Sequence, residues 1–236
     1  MKIAIIIPTY NEQENIKDLV SKIFNLLNDV EIFIIDDTIN DGIKEILKNF
    51  SKINYVHRGK KLGRGSAVLE GLTLAIKKNL FDVFIEMDAD LSHDPEEINF
   101  NLHKFKNENL DLLVSSRYLK KSSIINWGLN RKLFSRASNM LARYLLKIPI
   151  CDYTNGFRIY SLNSAKFISR RCGKIGGGFV ILSEILMQLY YNDYKIGEIE
   201  TVFRNRIRGQ SSVTMREIIQ SFFGLIKLYK IKKSLR

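Results

Sequence analysis

Asp88 and Asp90, separated by the small Ala89, end an apolar run in the stretch FDVFIEMDADLSHDPEEI. Carboxylates two apart on an extended segment project to the same side, so both can address one hard cation. Mg2+ or Mn2+ held by one or two carboxylates completes its shell with water and substrate phosphate oxygens. Four arginines carry complementary chemistry. Arg117 follows a strand, in the SSRY that ends DLLVSSRY, and Arg131 lies four residues before Ser135 on one face of a long helical segment. Arg206 and Arg208 stand two apart in NRIRGQSS, where alternation would point them the same way. Guanidinium forks match phosphate oxygens. A carboxylate–metal site beside a second, arginine-rich site implies two phosphorylated substrates.

Other chemistries lack their residues. No GxxxxGK[ST] loop and no GxSxG elbow occurs. In GRGSAV, Val68 stands where a dinucleotide fingerprint needs its third glycine. His57, His93 and His103 have no metal-ligand spacing, and of the three only His93 lies beside the acidic cluster. Cys151 and Cys172 form no CxxC pair and fit unpaired thiols in a reducing compartment.

The elements that must position these groups alternate. KIAIIIP, VEIFIIDD, INYVHR and FDVFIEMD read as buried strands. Between them lie a helix with Ile16, Leu19, Val20, Ile23, Phe24 and Leu27 on one face, a short helix DGIKEILKNF, and the helix GSAVLEGLTLAIKK. Alternation with short connections implies βαβ units and a parallel sheet, whose ligands bind beyond the carboxyl ends of the strands. Thr9 to Glu12, Asp36, Asp37, Asp88 and Asp90 all stand at such ends. Asp94 with Pro95 reads as the start of the next helix. Farther on, GLNRKLFSRASNMLARYLLKI reads as a long helix with Leu129, Leu133, Phe134, Ala137, Met140, Leu141, Tyr144, Leu145 and Ile148 on one face. GFRIYS and KIGEIETVFRNR each read as one strand, and FVILSEILMQLYYN as a helix.

The 236 residues carry a formal charge of +12, concentrated at one end: from Arg204 to Arg236 there are nine Lys or Arg against one Glu. Such a face suits a polyanion, whether nucleic acid, anionic lipid or phosphorylated substrate. No zinc-finger or RRM signature supports nucleic acid. From Arg216 onward Ile218, Ile219, Phe222, Phe223, Ile226 and Tyr229 share a face, followed by Lys230, Lys232, Lys233 and Arg236, which describes a basic amphipathic helix suited to a membrane surface. No apolar run reaches the roughly 20 residues needed to span a bilayer. The expectation is a cytoplasmic protein, peripheral on the cytoplasmic face of a membrane.

Taken together, IIIPTYNEQENI, IIDDTINDG, GSAVLEGL, MDADLSHDPEEI, SSRY, NRKLFS, DYTNGFRIY and FRNRIRGQSS resemble the family 2 glycosyltransferases of GT-A fold, and among them the dolichol-phosphate (polyprenol-phosphate) mannose synthases. The resemblance runs from about Lys2 to Ser212. It implies a Rossmann-like α/β fold, with a mostly parallel central sheet flanked by helices. Residues 1–215 would be one catalytic domain, its first 115 residues binding the nucleotide sugar and residues 116–215 the acceptor, followed by the basic helix 216–236. It also implies transfer of mannose from GDP-mannose to a polyprenyl or dolichyl phosphate with inversion. Pro8, Tyr10, Glu12, Asp36 and Asp37 would hold the nucleoside, while Asp88 and Asp90, assisted by Ser92, would bind the diphosphate through Mg2+ or Mn2+. Arg117, Arg131, Ser135, Arg206 and Arg208 would gather the acceptor phosphate, with Asp90, Arg117 and Arg131 catalytic. Glu184 matches an acidic family position without an assigned role.

Several positions depart from the family pattern. Ile39 and Ile43 replace hydroxyls near the nucleotide, Ser92 stands for a glutamine, and Ser212 for a phosphate-binding lysine. With no spanning segment in the sequence, attachment would fall to the amphipathic helix or to a small membrane-anchoring subunit. Three other readings compete: a sister enzyme using UDP-glucose or another nucleotide sugar, a nucleic-acid-binding module, and a non-catalytic nucleotide-sugar sensor.

Overall fold

The run of β-branched residues after Lys2 has no polar face to offer solvent, and it forms the centre of the sheet. In the computed structural model, which describes residues 1–233 apart from 41, 177, 179, 207 and 209–213, strand β1 (Ile3–Thr9) pairs in parallel with β2 (Val30–Asp36) on one side and β4 (Val83–Glu86) on the other. Beyond β2 lies β3 (Ile53–His57), also parallel. β7 (Arg158–Ser161) then inserts antiparallel between β4 and β5 (Leu112–Ser116), and β8 (Ile196–Glu200) closes the sheet parallel to β5. The seven-stranded order is β3-β2-β1-β4-β7-β5-β8. A separate ribbon pairs β6 (Ser123–Ile125) with β9 (Val202–Arg204).

Side-chain alternation along β1 divides the core into two layers. Ile3, Ile5 and Ile7 face α1 (Gln13–Leu26) and α4 (Glu97–Asn107), where Ile16, Leu19, Val20, Ile23, Ile98 and Leu102 meet them. Ala4 and Ile6 face α3 (Arg64–Lys77), and the same layer continues through α6 (Leu162–Arg171) and α7 (Val180–Tyr190). α3 lies so close over β1 that a Cβ on Gly71 would come within 2.7 Å of Ile6 Cγ2.

The structure departs from the sequence expectations at several elements. DGIKEILKNF yields a single helical turn, α2 (Lys44–Leu47). Asp94 does not cap α4 directly. Its carboxylate accepts from the Glu96 amide in the turn that precedes the helix, and Glu96 is the N-cap. KIGEIETVFRNR is not one strand: it breaks at the buried Thr201, so β8 joins the main sheet and β9 the ribbon. Thr201 is held there by Glu97, whose carboxylate accepts from the Thr201 hydroxyl at 2.5 Å and the Val202 amide at 2.8 Å.

The apolar face of α5 (Leu129–Leu146) exists but is turned outward. Leu129, Leu133, Phe134, Met140 and Tyr144 are between 55% and 77% exposed, while the buried residues are Asn139, Ala142 and Leu146. The reason is local, because Asn139 faces inward to serve the chain before β7: its Oδ1 accepts from the Tyr153 amide and its Nδ2 donates to Thr154 Oγ1. α8 (Met215–Lys232) opens with a capping box formed by Thr214 and Glu217. It buries Leu225 and Leu228 and leaves Ile219, Phe222 and Phe223 exposed. Among the described residues no helix is long and apolar enough to cross a membrane.

The close approach of α3 gives a test. Gly71→Val would overpack the α3–β1 contact, and chemical denaturation should show a loss of about 2 kcal/mol with the urea m-value unchanged.

Candidate functional site

The carboxyl ends of β1, β2 and β4 form one rim, and each acidic residue there has a partner. Asp36 is fully buried, accepting from Thr9 Oγ1 at 2.9 Å, Thr38 Oγ1 at 2.6 Å and Tyr55 Oη at 3.0 Å. Asp37 accepts from Arg58 Nε at 2.5 Å and from the amides of Leu62 and Gly63 at 2.8 and 2.7 Å. Both carboxylates brace the wall of the rim. Pro8, near the end of β1, and Tyr10, just past it, lie beside them, with the Lys61 ammonium 5.2 Å from the Tyr10 ring. Lys61 also pairs with Glu217 at 2.9 Å, which ties the start of α8 to this side of the site.

Glu12 is the N-cap residue of α1 but makes no side-chain cap hydrogen bond; its Oε2 accepts from Asn15 Nδ2 at 2.7 Å. Burial, together with the nearby Asp90, pushes its carboxyl up to about 7.

Beyond β4 the chain leaves extended geometry, and its charges are sorted by two arginines. Arg64, from the first turn of α3, donates through Nη1 to the fully buried Glu86 at 2.5 Å and through Nε to Asp88 Oδ1 at 2.8 Å. Glu86 also accepts from Tyr160 Oη at 2.6 Å. Burial alone would raise Asp88, yet the Arg64 guanidinium holds it below the ordinary carboxylate range. The Asp88 amide donates to His93 Nδ1 at 3.0 Å, so His93 carries its proton on Nε2 and donates it to Asn155 Oδ1 at 2.9 Å. Asp90 pairs through Oδ2 with Arg206 Nη2 at 2.9 Å and accepts through Oδ1 from the Ser92 amide at 3.1 Å.

On the far side of β7, Arg117 leaves the end of β5 and is held bidentate by the buried Asp152, with Nε and Nη2 at 2.7 and 2.8 Å. Burial works against each charge, but the partner wins: Arg117 is raised and Asp152 lowered. Arg131 stacks on Trp127 and donates to Asn205 Oδ1 at 3.0 Å. Burial and the neighbouring Arg206 and Arg117 lower its pKa. Ser135 Oγ accepts from Tyr118 Oη at 2.6 Å.

The structure therefore brings Glu12, Asp88, Asp90, Arg117, Arg131 and Arg206 into one electrostatic neighbourhood. Arg208 does not join it. β9 ends at Arg204, so the strand alternation expected of Arg206 and Arg208 stops before either, and Arg208 instead donates to the Glu14 carbonyl and Asp18 Oδ2 on α1 at 2.7 and 2.8 Å. Glu184 is a buried brace whose Oε2 accepts from the Gly173 amide at 3.0 Å, where φ is 92°. Ser212 lies outside the described residues. Sequence reasoning missed Arg64, Glu86, Asp152 and Trp127; only Arg64 carried a signal, as an arginine opening a helix after the glycine of LGRGS.

Among the described residues no group of three or more His, Cys, Asp or Glu side chains could close a metal shell by itself. Asp88 and Asp90 fit a cation that draws its remaining ligands from a diphosphate: both supply hard oxygen donors, and Asp88 is kept ionised.

The glycosyl transferase family 2 model matches residues 4–168. The chain is 36% identical over 237 residues to a dolichol-phosphate mannosyltransferase of Pyrococcus furiosus, covering 98% of this chain and 64% of that protein. It is 30% identical over 224 residues to a polyprenol monophosphomannose synthase of Mycolicibacterium smegmatis, covering 93% of this chain and 83% of that one. The chain thus spans just under two thirds of the Pyrococcus protein. Among solved structures, glucosyl-3-phosphoglycerate synthase from Mycobacterium tuberculosis, in complex with Mn2+, UDP and phosphoglyceric acid, superposes with a TM-score of 0.69 at 16% identity. That match covers 97% of this chain and 78% of the other, and it shows a shared fold.

The Arg117–Asp152 pair supplies a pH-dependent test. The native state favours ionised Asp152, so its contribution to stability is complete above the unfolded-chain value near 3.8 and is lost as the pH falls through the lower native value. Asp152→Asn should cost about 3–5 kcal/mol at pH 7 by leaving Arg117 buried without its counter-charge. In denaturation midpoints measured from pH 7 to 2, the gap to wild type should hold steady down to about pH 4 and narrow only below it.

Proposed function

Since this chain belongs to glycosyl transferase family 2, we propose that it transfers mannose from GDP-mannose to a polyprenyl (dolichyl) phosphate with inversion at the anomeric carbon. One observation carries the reading: the arginines expected to take an acceptor phosphate and the aspartates expected to take a donor diphosphate meet at the Arg206–Asp90 pair. The names of the two relatives support a polyprenyl phosphate acceptor and a mannosyl donor.

In this reading the acceptor phosphate is already anionic near pH 7 and needs no strong general base. A lone pair on its oxygen forms the bond to sugar C1, while the C1–O bond to the diphosphate breaks and its electron pair leaves with GDP. One in-line displacement converts an α-linked donor into a β-linked product. Arg117, Arg131 and Arg206, with Ser135, orient the acceptor oxygens. Pro8, Tyr10 and Glu12 line the nucleotide side, with Asp36 and Asp37 bracing it from behind. Asp88 and Asp90 would hold a divalent cation, which when bound neutralises charge on the leaving diphosphate. The catalytic contribution of the chain is positioning and charge compensation.

We also infer attachment to an anionic membrane surface. The exposed apolar side chains of α5 and α8 support it. So do the cations that share those helices, Arg136 and Arg143 on α5 and Lys227 and Lys230 on α8, where α5 has no acidic residue.

Incubating the full chain with labelled GDP-mannose, Mg2+ or Mn2+ and a short polyprenyl phosphate should give a lipid-linked sugar. Asp90→Ala should reduce it at least a hundredfold. Heat protection by GDP in the presence of the metal is expected; protection by UDP instead would move the donor to UDP-glucose or a related sugar. For the membrane reading, a Met140→Glu, Phe222→Glu, Phe223→Glu variant should lose co-sedimentation with anionic vesicles. Unchanged sedimentation would refute surface attachment through these helices.

A further inference from the structure

Trp127 is the only tryptophan of the chain and stands one residue ahead of Gly128, the N-cap of α5. Asn126, with φ of 60°, turns the chain out of β6 and brings the indole beneath Arg131. The guanidinium carbon lies 3.9 Å from the ring centroid, a stacking contact. The Arg117 guanidinium lies 5.6 Å from the same ring and 5.2 Å from Phe203, which meets Trp127 edge to face at 5.3 Å. Phe203 packs in turn on His93 at 5.5 Å, and His93 receives the Asp88 amide. Three consecutive rings therefore run from the arginines to the backbone of the metal-side aspartate.

The three arginines of this cluster are compensated differently. Arg117 has Asp152 and Arg206 has Asp90. Among the described residues no carboxylate stands within ion-pair distance of Arg131; it has the carbonyl of the Asn205 amide and the face of Trp127. A carboxylate here would hold the guanidinium but cancel the charge an incoming anion needs. An indole face attracts the cation through its quadrupole and leaves its charge available. The Trp127 N–H is buried with no acceptor among the described residues, as expected of a ring placed for its face rather than its donor.

We propose that Trp127 is a positioning residue for the acceptor anion: its face holds the Arg131 guanidinium oriented and uncancelled, ready for the phosphate oxygens of the acceptor. The identity of that acceptor rests on the lipid-phosphate reading above; the role of the ring rests on the geometry.

The full chain with metal and donor, assayed against a short polyprenyl phosphate, tests it. Trp127→Leu should raise the acceptor KM about tenfold and Trp127→Phe about threefold, with donor KM and thermal midpoint held at wild-type values. Equal rises in both KM values together with a lowered midpoint would reduce Trp127 to a packing residue and overturn the proposal. Its sole-tryptophan status gives a readout that needs no variant to fold. Emission of the wild-type protein, without donor, should change saturably as the polyprenyl phosphate or a simple alkyl phosphate is added, and Arg131→Met should remove the response. Emission indifferent to an acceptor that is nevertheless turned over would also overturn it. A saturable response without any sugar transfer would uphold the proposal and defeat the transfer reading instead.

Discussion

The Arg64 guanidinium sits between Glu86 and Asp88 at the end of β4, and the carboxylate side of the site depends on it. Glu86 has no solvent access, so its charge is tolerated only because Arg64 and the Tyr160 hydroxyl meet it there. Arg64 is itself placed by its neighbours in sequence. The amides of Leu62 and Gly63, just ahead of it, are anchored on Asp37, which Arg58 neutralises. A chain of contacts thus leads from the end of β2 through a loop and the first turn of α3 to Asp88. The aspartates at the end of β2 act on the site by fixing where that loop goes.

The arginine side is organised around a second buried pair. Arg117 and Asp152 lock the end of β5 to the chain that enters β7, and Asn139 of α5 fastens the same chain through the Tyr153 amide. The two sides then meet twice. Arg206, carried past the end of β9, reaches Asp90, and the rings of Trp127, Phe203 and His93 connect the arginines to the Asp88 amide. Electrostatic contact and aromatic packing bridge the same gap, so a shift in one side alters the aim of the other.

Much of the carboxylate side was legible in the sequence because a βαβ alternation puts the ends of successive strands on one edge. β1, β2, β3 and β4 follow that pattern, and Glu12, Asp88 and Asp90 fall where it places them. Arg117 could be located in the same way, as a residue just past a strand. Its partner Asp152 could not, since 35 residues separate them and no periodicity connects them. Arg208 was misplaced because strand alternation was extended past the point where backbone pairing stops. The outward face of α5 was legible as a face but not in direction: hydrophobic periodicity reports that one side is apolar, whereas Asn139 decides which side the fold can use.

Among the described residues β7 alone joins β4 to β5, and its residues come some seventy positions after β4 in the chain. During synthesis, β1 to β4 with their helices can assemble while one flank of β4 still exposes unsatisfied backbone amides and carbonyls. That open flank borders Glu86, Met87 and the aspartate pair until the residues around Tyr160 leave the ribosome. The order of events on the nascent chain therefore leaves the edge beside the aspartate pair open until β7 has been made. A shielding chaperone, or fast elongation through residues 87–161, would protect it from pairing with a neighbouring nascent chain.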